Sequence, residues 1–365
     1  MKGISNMTRN KVFLKVDELK SGMIIADEVK LNNLALLTSG IVITDDLISR
    51  LKGKCFLDKI SIYNEANFGE NRTSKDSALI NNEKTMEEIK ESFDEFSLNV
   101  EELFNNISNG VKWELEEVRN FTKRIQNELK STNAIIKNIV LYGSGNDAIY
   151  RHSVNVAALS SILGKWIGLS DRDVNLLTYT GILHDFGKTK IDKNILDKMG
   201  PLTMKDMEKI RNHPILGYNF TKKIPYISNA VCSGVLMHHE RLDGSGYPLG
   251  IKEDKIHIFA KIIAIADIFD AVNSDRIYKE STDPFSALQI VQKEGLGKLD
   301  YKICKIFIDN IINYYIGEKV LLNTNKECKI IQININDLCR PLLFDGSEFI
   351  DLKLERDLSV KKLIV

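Results

Sequence analysis

The stretch GILHDFGKTKI, residues 181–191, places His184 and Asp185 side by side at the end of an apolar run. A core histidine usually needs one hydrogen-bond partner, and the adjacent aspartate points in a different direction from it. The chain has six histidines, and five of them lie between residues 152 and 239. Each alone is more often an ordinary core or surface histidine than a ligand, but their clustering beside acids favours a metal site.

A further acid, Asp267, lies in IIAIADIFDAV, a segment that reads as a helix apolar on nearly every face. An unpaired carboxylate buried there would cost several kcal/mol, so Asp267 should face a cation. Asp270, three residues later, could accept a hydrogen bond from a ligating histidine. The candidate ligands are His152, His184, Asp185, His213, His238, His239 and Asp267.

Seven imidazole and carboxylate groups exceed the needs of one tetrahedral ion and suit two metals, with Asp185 as the bridge. Such a ligand set without thiolate suits Fe or Mn, with Zn, Co and Ni as alternatives. Two metals about 3.5 to 4 Å apart are the usual means of directing hydroxide at phosphorus. The pattern therefore predicts hydrolysis of a phosphoester.

Other residues fit an anionic substrate, although each alone reads as an ordinary surface feature. Lys188 follows HDFG and could bring an ammonium group near the metals. Arg276 and Lys279, in SDRIYK after the Asp267 helix, could hold phosphate oxygens. In DGSGYP, Gly246 allows close backbone approach and Tyr247 offers a ring, so this turn could form a wall of the site.

The motifs HDFGK, HP at 213–214, HHERLDGSGYP and ADIFDAVNSDRIYK resemble the HD-GYP family of cyclic di-GMP phosphodiesterases, a branch of the HD phosphohydrolases. The resemblance covers residues 147–315. It implies an all-helical domain with a metal centre that often contains iron or manganese. The implied reaction is hydrolysis of cyclic di-GMP to pGpG and then GMP.

The resemblance also implies roles for individual residues. One metal would be held by His152, His184, Asp185 and Asp267, and the other by Asp185, His213, His238 and His239. Asp185 and Lys188 would be catalytic, and Arg276, Lys279, Tyr247 and Gly246 would bind substrate. Members with three metals carry a glutamate at the position of Ala148, so we expect two metals here.

Around this centre the sequence predicts a mainly α protein. We expect a small β-rich module at 1–65, a polar linker at 66–85, connecting helices at 86–131, the helical catalytic domain at 132–318 and a small β appendage at 319–365. An apolar seam from Met86 to Ile107 predicts a helix that either docks on its own chain or dimerises as a coiled coil.

Composition limits the alternatives. Lys+Arg and Asp+Glu are both 50, so the charge balance predicts neither duplex nucleic acid nor a membrane as partner. Five scattered cysteines and the absence of a long apolar segment predict a soluble, cytoplasmic protein. The expected partners are cyclic di-GMP, optionally a second copy through helix 86–107, and optionally a protein at the Gly-Tyr-Pro loop.

Two other functions stay open at this stage. One is an HD phosphohydrolase acting on another nucleotide, such as a hybrid cyclic dinucleotide. The other is a binding or scaffold protein that responds to cyclic di-GMP with little turnover.

Overall fold

The protein, represented by a computed structural model, divides into two compact units, residues 1–82 and 83–365. The structure describes residues 11–20, 23, 25–27, 29–31, 34–37, 43, 48, 59–63, 86–109, 122–124, 132–144, 148–198, 200–278 and 284–364. The linker expected at 66–85 lies outside these ranges, as do most of the connecting helices expected between 110 and 131.

The first unit is rich in β structure. Strand β1 (Lys11–Leu14) pairs antiparallel with β4 (Ile60–Tyr63), and β2 (Val29–Leu31) pairs antiparallel with β3 (Leu34–Leu37). Buried aliphatic side chains form its core; they are Val16, Leu19, Ile25, Ile43, Ile48, Ile60 and Ile62.

The second unit is largely helical. Its helices are α1 (Met86–Ser108), α2 (Thr132–Tyr142), α3 (Ala148–Trp166), α4 (Asp171–Leu183), α5 (Lys193–Leu196), α6 (Met204–Arg211), α7 (His213–Thr221), α8 (Asn229–Met237), α9 (Ile258–Tyr278), α10 (Ser286–Glu294) and α11 (Tyr301–Ile311).

Helices α3, α4 and α9 form the centre of this unit. Helix α4 packs closely on α3, and Ser170 caps its start, where the hydroxyl accepts a hydrogen bond from the Asp173 amide. A Cβ on Gly181 would lie 2.5 Å from the Cα of Ala157, so only glycine allows this approach. Helix α9 is buried along most of its length, which agrees with its nearly all-round apolar sequence.

The apolar seam of α1 is buried against the same chain. Phe93, Phe96 and Val100 are fully buried in the core of the second unit, and α1 packs on α3. The apolar seam therefore packs against its own chain, which is the first of the two alternatives predicted for it.

The chain ends in a five-stranded antiparallel sheet with the order β8-β7-β6-β5-β9. Its strands are β5 (Lys319–Leu322), β6 (Glu327–Asn334), β7 (Asp337–Phe344), β8 (Phe349–Asp351) and β9 (Val360–Ile364). Its buried residues, such as Val320 and Ile330, belong to the same apolar core as the helices. The Gln292 amide of α10 donates to the Ile335 carbonyl at 2.6 Å, joining the helical and β parts.

The mainly α fold with β structure towards both ends is confirmed. Among the described residues, no helix combines the length and apolar character needed to cross a bilayer.

Candidate metal centre

The His184–Asp185 pair lies where α4 ends. His184 caps the helix, and Asp185 precedes a short 3-10 segment, Phe186–Lys190. Gly187 of this segment lies against α7: a Cβ there would lie 2.0 Å from the His213 carbonyl oxygen. This close approach brings His213 towards the His184–Asp185 pair.

Three histidines share one local arrangement. The Nδ1 atoms of His184, His213 and His238 lie 2.7, 2.8 and 2.7 Å from the carbonyl oxygen three residues earlier. A carbonyl oxygen can only accept, so each Nδ1 carries a proton and donates it. In the neutral ring, Nε2 then keeps a free lone pair, as a metal ligand requires.

The two oxygens of Asp185 face different pairs of imidazoles. Oδ1 lies 3.2 Å from His213 Nε2 and 3.9 Å from His238 Nε2. Oδ2 lies 3.5 Å from His184 Nε2 and 3.6 Å from His152 Nε2. A carboxylate with this placement can join two cation sites through its separate oxygens.

Several polar atoms in the centre lack a protein partner. Asp185 Oδ1 and His184 Nε2 are buried and have no hydrogen-bond partner. His213 Nε2 lies 3.2 Å from Oδ1, but with the ring proton on Nδ1 it has no hydrogen to donate. The Nε2 atoms of His213 and His238 lie only 3.1 Å apart. With both protons on Nδ1, two lone pairs face each other, and a cation between them would relieve the repulsion. These side chains therefore fit bound metal.

All seven candidate ligands converge on this centre. Their ligand atoms form two groups, each within 4.8 Å: Asp185 with His213, His238 and His239, and Asp185 with His152 and His184. Asp267 lies beside both groups, with Oδ1 3.1 Å from His152 Nε2 and Oδ2 3.8 Å from His239 Nδ1.

Burial and neighbouring charges set the protonation of these groups. Burial lowers the pKa of His239 to about 3, and burial with the neighbouring histidines holds the pKa of His238 well below its usual value. Both rings are therefore neutral at pH 7. Burial opposes the charge of His152, but hydrogen bonds to Asp267 and Asp270 outweigh it and raise its pKa to about 10. Metal binding at His152 would release that proton.

Lys188 places an ammonium group beside Asp185. Its Nζ lies 2.5 Å from Asp185 Oδ2, and its side chain is 26% exposed. Burial would lower the pKa of Lys188, but the charges of Asp185 and Asp267 raise it above its usual value. Burial would likewise raise the pKa of Asp185, yet Lys188, His184 and His213 hold it well below its usual range. Both groups are therefore charged at neutral pH.

Asp270 supports the centre from behind, as its position in the sequence predicts. Its Oδ2 accepts hydrogen bonds from His152 Nδ1 at 2.7 Å and from the Ser144 hydroxyl at 2.6 Å, while Oδ1 accepts from the Asn155 amide at 2.8 Å. Ser144 and Asn155 were not predicted from the sequence. Neither carries a signal of its own, because each is recognised only by its contact with Asp270.

Replacing Asp270 with asparagine is expected to weaken manganese binding at the His152 side of the centre about 10- to 100-fold. Three donors surround this carboxylate, and an amide offers one oxygen acceptor, so one donor would face an NH2 group. Titration with Mn²⁺ followed by electron paramagnetic resonance measures the change. Ser144→Ala, which removes one hydrogen bond and keeps the carboxylate, should have a smaller effect. Equal affinities in wild type and Asp270→Asn would refute this role.

The loop after His239 folds tightly against the centre. The Tyr247 ring stacks on the His239 ring with centroids 4.6 Å apart and 27° between the planes. A Cβ on Gly246 would lie 2.3 to 2.5 Å from backbone atoms of residues 239–241, so packing alone accounts for glycine there. Glu240, which the sequence analysis missed, is buried and accepts hydrogen bonds from the Leu249 and Ile251 amides at 2.6 and 3.1 Å.

Three residues from the sequence analysis lie partly or wholly outside the description. Arg276 lies in the last turn of α9, but its side chain is not among the described ones. Lys279 lies outside the described residues. Ala148 begins α3, but its side chain is not among the described ones.

Residues 135–303 match the family model described as HD domain, which confirms the resemblance to HD phosphohydrolases. Over 213 residues the chain is 31% identical to a cyclic di-GMP phosphodiesterase of Pseudomonas aeruginosa, covering 58% of this chain and 51% of that protein. Over 189 residues it is 33% identical to 3′3′-cGAMP-specific phosphodiesterase 1 of Vibrio cholerae, covering 52% of this chain and 43% of that protein.

Among solved structures, the chain is similar to a HDG"Y"P protein from Bdellovibrio bacteriovorus, with 22% identity and a TM-score of 0.49. That match covers 82% of this chain and 99% of the other. The chain spans about half the length of the curated relatives it matches.

Proposed function

Because residues 135–303 match the family model described as HD domain, we propose that this chain is a metal-dependent phosphodiesterase that hydrolyses cyclic di-GMP to pGpG or GMP. The observation that carries the proposal is the placement of Asp185, whose two oxygens face different pairs of imidazoles. A carboxylate placed in this way is suited to a pair of metals acting on a phosphodiester. The cyclic di-GMP phosphodiesterase from Pseudomonas aeruginosa supports the choice of substrate.

We further propose two metal ions, Fe or Mn first, since the ligands are nitrogen and oxygen atoms. His152, His184, Asp185 and Asp267 would hold one ion, and Asp185, His213, His238 and His239 the other. Buried atoms without a protein partner, such as His184 Nε2, support this assignment. The alanine at position 148 supports two ions rather than three.

When bound, the two ions would lower the pKa of water and neutralise charge on the phosphate. The residues of the chain supply the other parts of the mechanism. Asp185 fixes the distance between the two ligand groups. Lys188, held beside Asp185 and partly exposed, can neutralise charge on the phosphate from the open side of the centre.

Tyr247 can donate a hydrogen bond to the substrate. Burial, with the charges of Asp185 and Asp267, raises the pKa of its phenol, so the hydroxyl keeps its proton at neutral pH. The stacking on His239 fixes the ring at the edge of the centre. Arg276, in the last turn of the helix that carries Asp267, and Lys279 are proposed to bind phosphate oxygens.

A hybrid cyclic dinucleotide is the second candidate substrate. The 33% identity to a 3′3′-cGAMP-specific phosphodiesterase favours including it, because the matched region of that relative is similar in extent to that of the cyclic di-GMP relative. A scaffold protein with little turnover is not favoured, since all seven candidate ligands converge on one centre. A homodimer through α1 and a protein partner at the Gly-Tyr-Pro loop stay predictions.

Protein purified without oxygen and loaded with Fe²⁺ or Mn²⁺ is expected to hydrolyse cyclic di-GMP. Separate reactions with cyclic di-GMP and 3′3′-cGAMP, followed by chromatography of the products, give kcat/KM for each. A higher value for cyclic di-GMP supports the first substrate, and a higher value for 3′3′-cGAMP supports the second. Metal-loaded protein that turns over neither nucleotide would refute the proposed enzyme and favour the scaffold function.

A further inference from the structure

Arg211 occupies a position at the edge of the centre that the motifs do not account for. It is the last residue of α6, two residues before His213, and it is exposed. The central carbon of its guanidinium lies 5.5 Å from the centroid of the Tyr247 ring, within the range of a cation–π contact. Its contact with Tyr247 bridges 36 residues of sequence.

Tyr247 connects Arg211 to the ligand cluster. The Tyr247 ring contacts the Arg211 guanidinium and also stacks on the His239 ring, with the two ring centroids 4.6 Å apart. The Tyr247 amide also donates to the His239 carbonyl at 3.2 Å, which fixes the ring to the ligand-bearing backbone. The Tyr247 ring thus contacts Arg211 as well as the candidate ligand His239.

The nearby cations differ in what they contact. Lys188 pairs with Asp185, and Arg241 donates through Nη1 to the Glu240 carbonyl at 2.9 Å, which ties it to its own loop. Among the described residues, the Arg211 side chain contacts the Tyr247 ring and forms no salt bridge with an acid. Its guanidinium N–H groups therefore stay available to an anion from solvent.

We propose that Arg211 binds the second phosphate of a cyclic dinucleotide, the one that is not being cleaved. This inference rests on the proposed function of the centre. A cyclic dinucleotide carries two phosphates, and the ligand cluster addresses one of them at a time. A guanidinium lying on an aromatic ring keeps its N–H edge free, and that edge matches phosphate oxygens in a bidentate arrangement.

Arg211→Ala is expected to raise KM for cyclic di-GMP about 10- to 100-fold, the loss for a charge-assisted hydrogen bond. Because the contact is made equally in ground state and transition state, kcat should change by less than about twofold. Arg211→Lys keeps the charge but loses the two-pronged guanidinium, so its KM should lie between those of wild type and Arg211→Ala. Lys209→Ala removes a charge from the same turn of α6 and should behave as wild type.

Two further substrates separate the second phosphate from other contacts. Bis(p-nitrophenyl) phosphate has a single phosphodiester and no guanine, so Arg211→Ala should leave its hydrolysis unchanged. Cyclic di-GMP and 3′3′-cGAMP share both phosphates and differ in one base, so the ratio of variant to wild-type KM should be equal for them. The phosphate assignment would be overturned if the KM ratio differed between cyclic di-GMP and 3′3′-cGAMP. It would also be overturned if Arg211→Ala slowed hydrolysis of bis(p-nitrophenyl) phosphate as much as that of cyclic di-GMP.

Equilibrium binding of fluorescently labelled cyclic di-GMP to the metal-loaded proteins gives a readout that needs no turnover. The expected result is a Kd raised about 10- to 100-fold in Arg211→Ala and unchanged in Lys209→Ala. Equal Kd and KM values in Arg211→Ala and wild type would overturn the inference even if wild type is active. Wild type that neither binds nor cleaves the nucleotide would instead refute the proposed function.

Discussion

Replacing Asp185 with asparagine is expected to lower the turnover of cyclic di-GMP at least about 1000-fold, since metal stabilisation of the transition state amounts to several kcal/mol. Asparagine keeps the shape of the side chain but offers a single neutral oxygen. In wild type, Oδ1 faces His213 and His238, while Oδ2 faces His152 and His184. The amide can serve one side, so metal content should also fall below two ions per chain.

Product formation and metal content measured on the same preparation test this prediction. Asp197→Asn is the matched control, because that carboxylate is exposed and lies at the end of the short helix α5. It should keep wild-type turnover and metal content. Circular dichroism should show the helical signal of wild type in both variants. Turnover near the wild-type rate in Asp185→Asn would remove Asp185 from the centre of the mechanism.

Removing the metals is expected to destabilise the second unit strongly. A ligand at about 1000 times its Kd stabilises the folded state by about 4 kcal/mol. For a domain of this size each kcal/mol moves Tm by about 2 to 4 °C, so chelation should lower Tm by about 8 to 16 °C. The physical reason is that buried atoms such as His184 Nε2 and Asp185 Oδ1 lose the cation that satisfies them.

Scanning calorimetry with and without a chelator measures the shift, and adding Mn²⁺ back should restore the original Tm. Asp185→Asn supplies the internal control: with its metal sites impaired, it should respond much less to the chelator. An equal Tm for metal-loaded and chelated wild-type protein would show that the cluster does not bind metal tightly in the folded state.

The sequence predicted the ligand cluster because its signals are chemical and local. Asp267 was identified because a carboxylate in a helix that is apolar all round must meet a cation. The histidines were identified by clustering beside acids. The sequence did not predict how the imidazole rings are oriented. The orientation of His184, His213 and His238 follows from hydrogen bonds to the carbonyls three residues earlier.

Contacts between distant segments escaped the sequence analysis for a different reason. Ser144 meets Asp270 across 126 residues, and Arg211 meets Tyr247 across 36, so only tertiary packing reveals either pair. Glu240 lies inside a motif, yet its role as an acceptor for the loop amides depends on how that loop returns to it. Some of these close contacts between segments require glycine, as at Gly187, where a Cβ would clash with α7.

The C-terminal strands show the same limit. Alternation in KIIQINI predicted a strand with one buried face. Strand β6 buries Cys328 and Ile330 in alternation, but its register shifts between Ile330 and Gln332, and the next buried residue is Ile333. The period gives the buried face but not the surface that covers it. In the structure, buried residues of the sheet share a core with the helices, including Leu288 of α10.

The rate of cyclic di-GMP hydrolysis as a function of bound Mn²⁺ per chain tests the central claim most directly. Metal-free protein would be titrated with Mn²⁺, and bound metal and initial rate measured at each point. If Asp185 joins two ions in one catalytic centre, little activity should develop up to one bound ion, and the rate should reach its plateau at about two. Full activity at one ion, or none at two, would contradict a two-metal phosphodiesterase.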